Sequence, residues 1–172
     1  MADTEQTWTA LQTILADNTA RAISPQDLRD AIVSCLGGYA GLYVSGGAAA
    51  QSLTAAPALV TCWTDTHSER GAAASAVNDR ITIGVAGDYL VTASASMTST
   101  PAAITDLYLY TSGVVIPGAT TTYDTHGTEL RAATVSTIVT LAAGALVTLY
   151  GSTTPNADVT ISDATLTVKR VG

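Results

Sequence analysis

The stretch DYLVTASASMT, residues 88–98, alternates apolar and polar side chains along most of its length. Tyr89, Val91, Ala93, Ala95 and Met97 fall on one side, and Leu90, Thr92, Ser94, Ser96 and Thr98 on the other. A period of two sends successive side chains to opposite faces of a strand, so this run predicts one long β-strand with one face in a core. Outward from it, further strands are expected at 59–64, 79–85, 104–111, 114–123, 129–141, 145–151 and 158–171, the last bending around Ser162-Asp163. Gly87-Asp88, Ser112-Gly113, Pro117-Gly118, Ala142-Ala143-Gly144 and Thr154-Pro155-Asn156 supply the turns between them. Many short strands with regular turn signals and no helix between them predict a mainly β, antiparallel sandwich. Periodicity leaves the immunoglobulin-like and jelly-roll versions equally open.

Upstream the period changes. Trp8, Leu11 and Leu15, with Ile14 beside them, recur at spacings of three and four, which places an apolar stripe on a short helix. Asp17 and Asn18 break it. Ser24-Pro25-Gln26-Asp27 then reads as a helix start, with a hydroxyl cap, proline at the first helical position and an acid in the first turn. Leu28, Ile32, Cys35 and Leu36 continue as a second stripe until Gly37-Gly38 stops it. Helices this short are marginal alone in water, so residues 1–37 read as a helical anchor that must pack on something.

Residues 38–57 are rich in Gly, Ala and Ser and read as a linker with a short extended stretch; an ordinary first strand of the following domain is the alternative. Tyr39 and Tyr43 lie within it. With Trp8, Leu11, Leu15, Leu28, Ile32 and Leu36 they form the candidate anchor and interface set, aromatic anchors being enriched at interfaces. The β domain is expected over 58–172.

Composition narrows the function. Of 172 residues 47% are apolar and 12% charged, with no Phe, so the core must be built from small and β-branched side chains. Each contributes little at ~25 cal/mol per Å² buried, which makes association with other chains an expected source of further burial. The net charge is −7, and the basic residues (Arg21, Arg29, Arg70, Arg80, Arg131, Lys169 and Arg170) are scattered. Nucleic-acid binding calls for a basic stripe, and anionic membrane surfaces attract basic clusters, so neither partner is expected. MADTEQTW carries acids where a signal peptide needs positive charge, and no run approaches a membrane span. Synthesis and folding in a cytosol are expected. Cys35 and Cys62 lack the spacing of a zinc or redox site and read as two reduced, mostly buried small hydrophobes.

No catalytic constellation is legible. His67 and His126 each sit in an Asp-Thr-His triplet in an expected loop, where a solvated role outweighs a metal or trimer-axis contact. No G-x-S-x-G elbow or S-x-x-K is present, and GGYAG and GVAGD lack phosphate-loop spacing. Asp79, Asp88, Asp106, Asp124, Glu129, Asp158 and Asp163 offer carboxylates for glycoside chemistry, but isolated acids beside turns are more often turn formers. Trp8 and Trp63 read as core or interface packing before sugar stacking. The expectation is a protein without enzyme activity, cofactor or metal.

Two parts of the chain carry a resemblance. NDRITIGVAGDYLVTASASM, residues 78–97, resembles the strand-turn-strand core of the C1q/tumour-necrosis-factor-like jelly roll. IVTLAAGALVTLYG, residues 138–151, looks like its penultimate hairpin, and DATLTVKRV, residues 163–171, like its closing strand. This resemblance implies a jelly-roll sandwich assembled as a homotrimer. LQTILADNTARAISPQDLRDAIVS, residues 11–34, is similar to a segment of phage head-fibre and tail-fibre proteins through Asp17, Asn18, Ile23, Ser24, Pro25, Asp27, Leu28 and Arg29. Together they imply a phage virion structural protein: a capsid cement, decoration or head-fibre protein made in the host cytoplasm. Its partners would be its own copies and the major capsid protein, and its place the capsid surface. The alternative they imply is a receptor-binding tail-fibre tip that recognises host-surface glycans. A polysaccharide hydrolase lacks its constellation, and a secreted C1q-like protein of the bacterial surface lacks an export signal.

Overall fold

The alternating run at 88–98 becomes the middle of one of the two longest strands among the described residues. In a computed structural model the residues described are 13, 24–35, 37–44, 49–125 and 129–171. The helix α1 (Pro25–Cys35) precedes β1 (Tyr39–Tyr43), β2 (Ala49–Leu53), β3 (Ala58–Leu59), β4 (Asp65–Thr66), β5 (Ala72–Ser75) and β6 (Arg80–Ile83). Then follow β7 (Gly87–Thr100), β8 (Ala103–Thr111), β9 (Val114–Thr125), β10 (Arg131–Leu141), β11 (Leu146–Thr154) and β12 (Ala157–Arg170).

They pair into two antiparallel sheets. The first runs β10-β7-β12-β1-β4, with β2 also on β12; the second runs β5-β6-β11-β8-β9, with β3 also on β11. The two inner faces bury Tyr89, Val91, Ala93, Ala95 and Met97 against Leu107, Leu109, Ile81, Val147 and Leu149 in one core. This is the antiparallel sandwich that the periodicity predicts, in the jelly-roll form that the resemblance implies. The Ser112-Gly113 turn also stands where expected: both residues have positive φ (48° and 84°), the geometry that lets a two-residue hairpin match strand twist.

Three expectations change. The segment 38–57 holds two strands of the first sheet. β1 pairs with β12 from Tyr39↔Lys169 to Tyr43↔Thr165, and β2 pairs with the same strand from Ala49↔Ile161 to Leu53↔Ala157. Ala40, Leu42 and Val44 alternate into the core, and the edge of β12 would otherwise keep unpaired backbone groups. The β body therefore begins at Tyr39. Second, only Leu59 of the expected 59–64 strand is paired as a strand, in β3, because the chain crosses there from the second sheet (β3) to the first (β4). Val60, Cys62 and Trp63 plug the interior on the way, with the Trp63 indole N–H donating to the Val60 carbonyl at 3.1 Å. Third, Pro117-Gly118 makes no turn. It lies within β9, where the register with β8 jumps from Tyr108↔Thr120 to Tyr110↔Val115, and Gly118 takes a positive φ of 73°. This is a bulge, and β9 continues through it.

The expected bend at Ser162-Asp163 is present as a register shift between Ile161 and Asp163 against β7. It divides β12 in two, so that β1 and β2 each take one half of the same edge.

Candidate interaction surfaces

Trp8, Leu11, Leu15 and Leu36 lie outside the described residues, as do His126 and the side chain of Cys35. The rest of the candidate set can be placed. Ser24 and Asp27 cap α1 reciprocally: the Asp27 amide donates to Ser24 Oγ at 3.1 Å, and the Ser24 amide donates to Asp27 Oδ2 at 2.7 Å. The backbone bond from Ser24, then its hydroxyl, hold the Asp27 carboxyl below the ordinary carboxylate value. Gln26 and Asp30 add a rung along the helix, with Gln26 Nε2 donating to Asp30 Oδ1 at 2.7 Å. So fixed, the helix turns Asp30 and Ala31 inward and leaves Leu28 and Ile32 55% and 54% exposed, one turn apart on one face. This is the reverse of what a helix folded onto its own domain does with its apolar stripe.

Gly37 and Gly38, which follow the helix, are tied to the sandwich. Gly37 takes φ +70°, and the Gly38 carbonyl then accepts from the Arg170 amide at 2.7 Å. Tyr39 follows at once as the first residue of β1. A methyl group on Gly37 would stand 3.1 Å from the Arg170 carbonyl, so glycine is needed for both φ and room.

Tyr39 and Tyr43 share the outward face of the first sheet, four residues apart on β1. Tyr39 is 43% exposed. Tyr43 is half-buried, stacks on the exposed His67 ring at 4.5 Å and 27°, and donates its hydroxyl to Asp65 Oδ2 at 3.0 Å. That contact, with burial second, pushes the Tyr43 hydroxyl above its usual range. A groove of about 290 Å³ opens beside the pair over the β12 bulge, lined by Tyr43, His67, Ser94, Ser96, Asp163 and Thr165. The remainder of this face is a field of small hydroxyls. Thr92 and Ser136 meet at 2.9 Å, Ser94 and Thr165 at 2.8 Å, and Ile138 stands 66% exposed beside them.

Most of the carboxylates considered from sequence are spread over the two sheets, with Asp106 and Asp124 on the paired strands β8 and β9. Asp158, on β12, accepts from the Ser52 hydroxyl; Asp88, on β7, accepts from Thr140 at 2.5 Å. Asp106 is on β8 in the other sheet, and Glu129 pairs with Arg131 at 2.6 Å. Among the described residues no group of three or more His, Cys, Asp or Glu side chains is arranged to hold a metal ion, and no helix is long and apolar enough to cross a membrane.

Sequence inspection missed one cluster. Tyr108 and Tyr110 lie two apart on β8, and register brings Tyr150 of β11 opposite Tyr108 on the outward face of the second sheet. Tyr110 stacks on Tyr150 at 4.1 Å and meets Tyr108 edge-on at 6.4 Å. The i, i+2 spacing of two tyrosines was the only available signal; Tyr150 joins them through strand pairing alone.

No protein-family model matches the chain, and no curated protein matches it in sequence. Solved structures do match its fold. The Eiger TNF of S. frugiperda superposes with a TM-score of 0.59 at 11% identity, covering 79% of this chain and 93% of that one. Murine APRIL gives 0.57 at 13% identity, covering 78% and 99%. The globular domain of zebrafish complement 1qA gives 0.57 at 12%, covering 78% and 98%. At such identities the likeness speaks for architecture alone, and the architecture of this chain is the C1q/TNF-like jelly roll.

Proposed function

We propose that this protein is a non-catalytic structural component of a bacteriophage particle, a homotrimer that sits on the capsid surface as a cement, decoration or head-fibre protein. The observation that carries the attachment is the Leu28–Ile32 pair: an apolar patch exposed to solvent on a capped helix, a few residues ahead of the first strand. Burying such a side chain contributes about 1.5–3 kcal/mol, and a trimer would present the patch three times over. The major capsid protein is the partner proposed, and the phage-like segment at 11–34 is the sequence support for it.

Trimer formation is assigned to the outward face of the first sheet. Its small, mutually hydrogen-bonded Thr and Ser side chains lose little entropy on burial, and Ile138 and Tyr39 supply apolar and aromatic contact. No reaction is involved; the role is burial across junctions between shell subunits.

The test is the doubly substituted chain Leu28→Asp/Ile32→Asp, added to particles that lack the protein. Both positions face solvent, so the fold survives, and occupancy on the shell is expected to fall at least tenfold. Unchanged occupancy would refute the anchor.

A further inference from the structure

The tyrosine face of the second sheet has no part in the attachment or the trimer proposed above. Strand register lays it out in rows: Thr148 and Tyr110; then Tyr150, Tyr108 and Thr120; then the buried Ser152, Asp106 and Thr122. The three rings are partly exposed. Asp106 anchors one side. Its Oδ1 accepts from Thr122, while the Tyr108 hydroxyl lies 3.3 Å from its Oδ2 and 3.2 Å from Ser152 Oγ.

We infer that this face is a saccharide-binding surface, with Tyr108, Tyr110 and Tyr150 as its platform and Asp106 as its principal acceptor. Its chemistry is mixed at short range. Rigid rings offer apolar area at low entropic cost, yet a hydroxyl stands within one residue spacing of every ring and a carboxylate within one of Tyr108. An apolar protein surface laid over it would strand those polar groups, at a penalty for each left unpaired. A sugar presents C–H faces to the rings and a rim of hydroxyls to the polar groups, and so satisfies both. A carboxylate has about four acceptor sites, and the two protein donors leave room for hydroxyls of a ligand. Arg80, on β6 beside β11, supplies a donor at the opposite margin. This inference needs the fold alone and stands whether or not the protein binds a capsid.

The experiment is titration of the full-length protein with dextran, mannan, N-acetylchitohexaose and bacterial O-polysaccharide, followed by the NMR signals of the tyrosine rings. At least one saccharide is expected to shift the signals of Tyr108, Tyr110 and Tyr150 saturably. Asp106→Asn keeps the shape of the site and is expected to weaken binding about tenfold, as loss of a charge-assisted hydrogen bond predicts. Tyr150→Ala is expected to abolish binding, while Tyr150→Phe, which keeps the ring, retains most of it and guards against a folding artefact. Absence of a shift with all four saccharides overturns the assignment, as does binding that persists undiminished in both Asp106→Asn and Tyr150→Ala.

Discussion

The Ser99 hydroxyl donates across the sandwich to Thr125 Oγ1 at 2.6 Å, with both side chains inside the core. Ser99 belongs to β7 and Thr125 to β9, so this bond ties one sheet to the other. The Thr125 hydroxyl in turn donates to the Ala103 carbonyl at 2.7 Å. Thr125→Val keeps the volume and removes both bonds together with the 3.2 Å contact to the Thr105 hydroxyl, leaving Ser99 only the longer contact to the Thr125 carbonyl at 3.2 Å. We expect a loss of about 1–3 kcal/mol in urea unfolding, and a Ser99→Ala/Thr125→Val double variant that loses less than the sum of the singles. Strict additivity would show that the two hydroxyls do not work as a unit.

Asp65 reports on the contact at the Tyr43–His67 pair. The Thr66 amide, donating at 2.8 Å, and then the Tyr43 hydroxyl hold its carboxyl below the ordinary value. A depressed carboxylate contributes stability that is present above its unfolded-state pKa and lost as the pH falls through its folded value. Tyr43→Phe is expected to raise the Asp65 pKa only part of the way, since the Thr66 bond remains. Side-chain carboxyl NMR titration measures it; an unmoved Asp65 would mean that the Tyr43 contact does not form in solution.

Burial pushes the Cys62 thiol up to about 11. Its contribution to stability is therefore complete below the ordinary thiol pKa and is lost as the pH rises toward about 11, because the unfolded chain ionises first. In a Cys35→Ser background, which leaves one thiol to count, Cys62 should resist a thiol-specific reagent at mildly alkaline pH. It should react at the rate of a free cysteine once urea unfolds the protein. Rapid labelling of the native chain would contradict its burial.

The assignment of the trimer face has its own check at Ile138. The side chain is largely exposed within one chain, so Ile138→Asp leaves the fold of that chain intact. On a face packed against sister copies, three new carboxylates would be brought together without partners. Sedimentation equilibrium is expected to find a trimer for the native protein and a monomer for the variant. A variant that remains trimeric would move the contact to another face.

Much of the β body was legible because alternation is a local property. Residues 88–98 could bury Tyr89, Val91 and Met97 together only as a strand, whatever paired with it. The Ser112-Gly113 turn and the break in β12 were legible for the same reason. Pro117-Gly118 misled because a positive-φ glycine after proline suits a turn and a bulge equally, and only the partner strand chooses. Residues 39–53 misled because small, Gly-rich segments look like linkers until an open strand edge claims them.

The candidate surfaces divide in the same way. Ser24, Pro25 and Asp27 announced the helix, and Leu28 and Ile32 its apolar stripe, since capping and periodicity act within a few residues. Whether that stripe faced the sandwich or solvent depended on how α1 joins β1 and on the Gly38–Arg170 bond, which spans almost the whole β body. The tyrosine cluster was beyond reach for a related reason. Residue spacing along one chain states which side chains share a face of one strand, whereas register between β8 and β11 is set by core packing and turn geometry far from the tyrosines. Sequence alone determined the β periodicity, the caps and the small-residue core; tertiary structure decided which outward faces those strands assemble, because pairing partners are chosen by the burial of the opposite face.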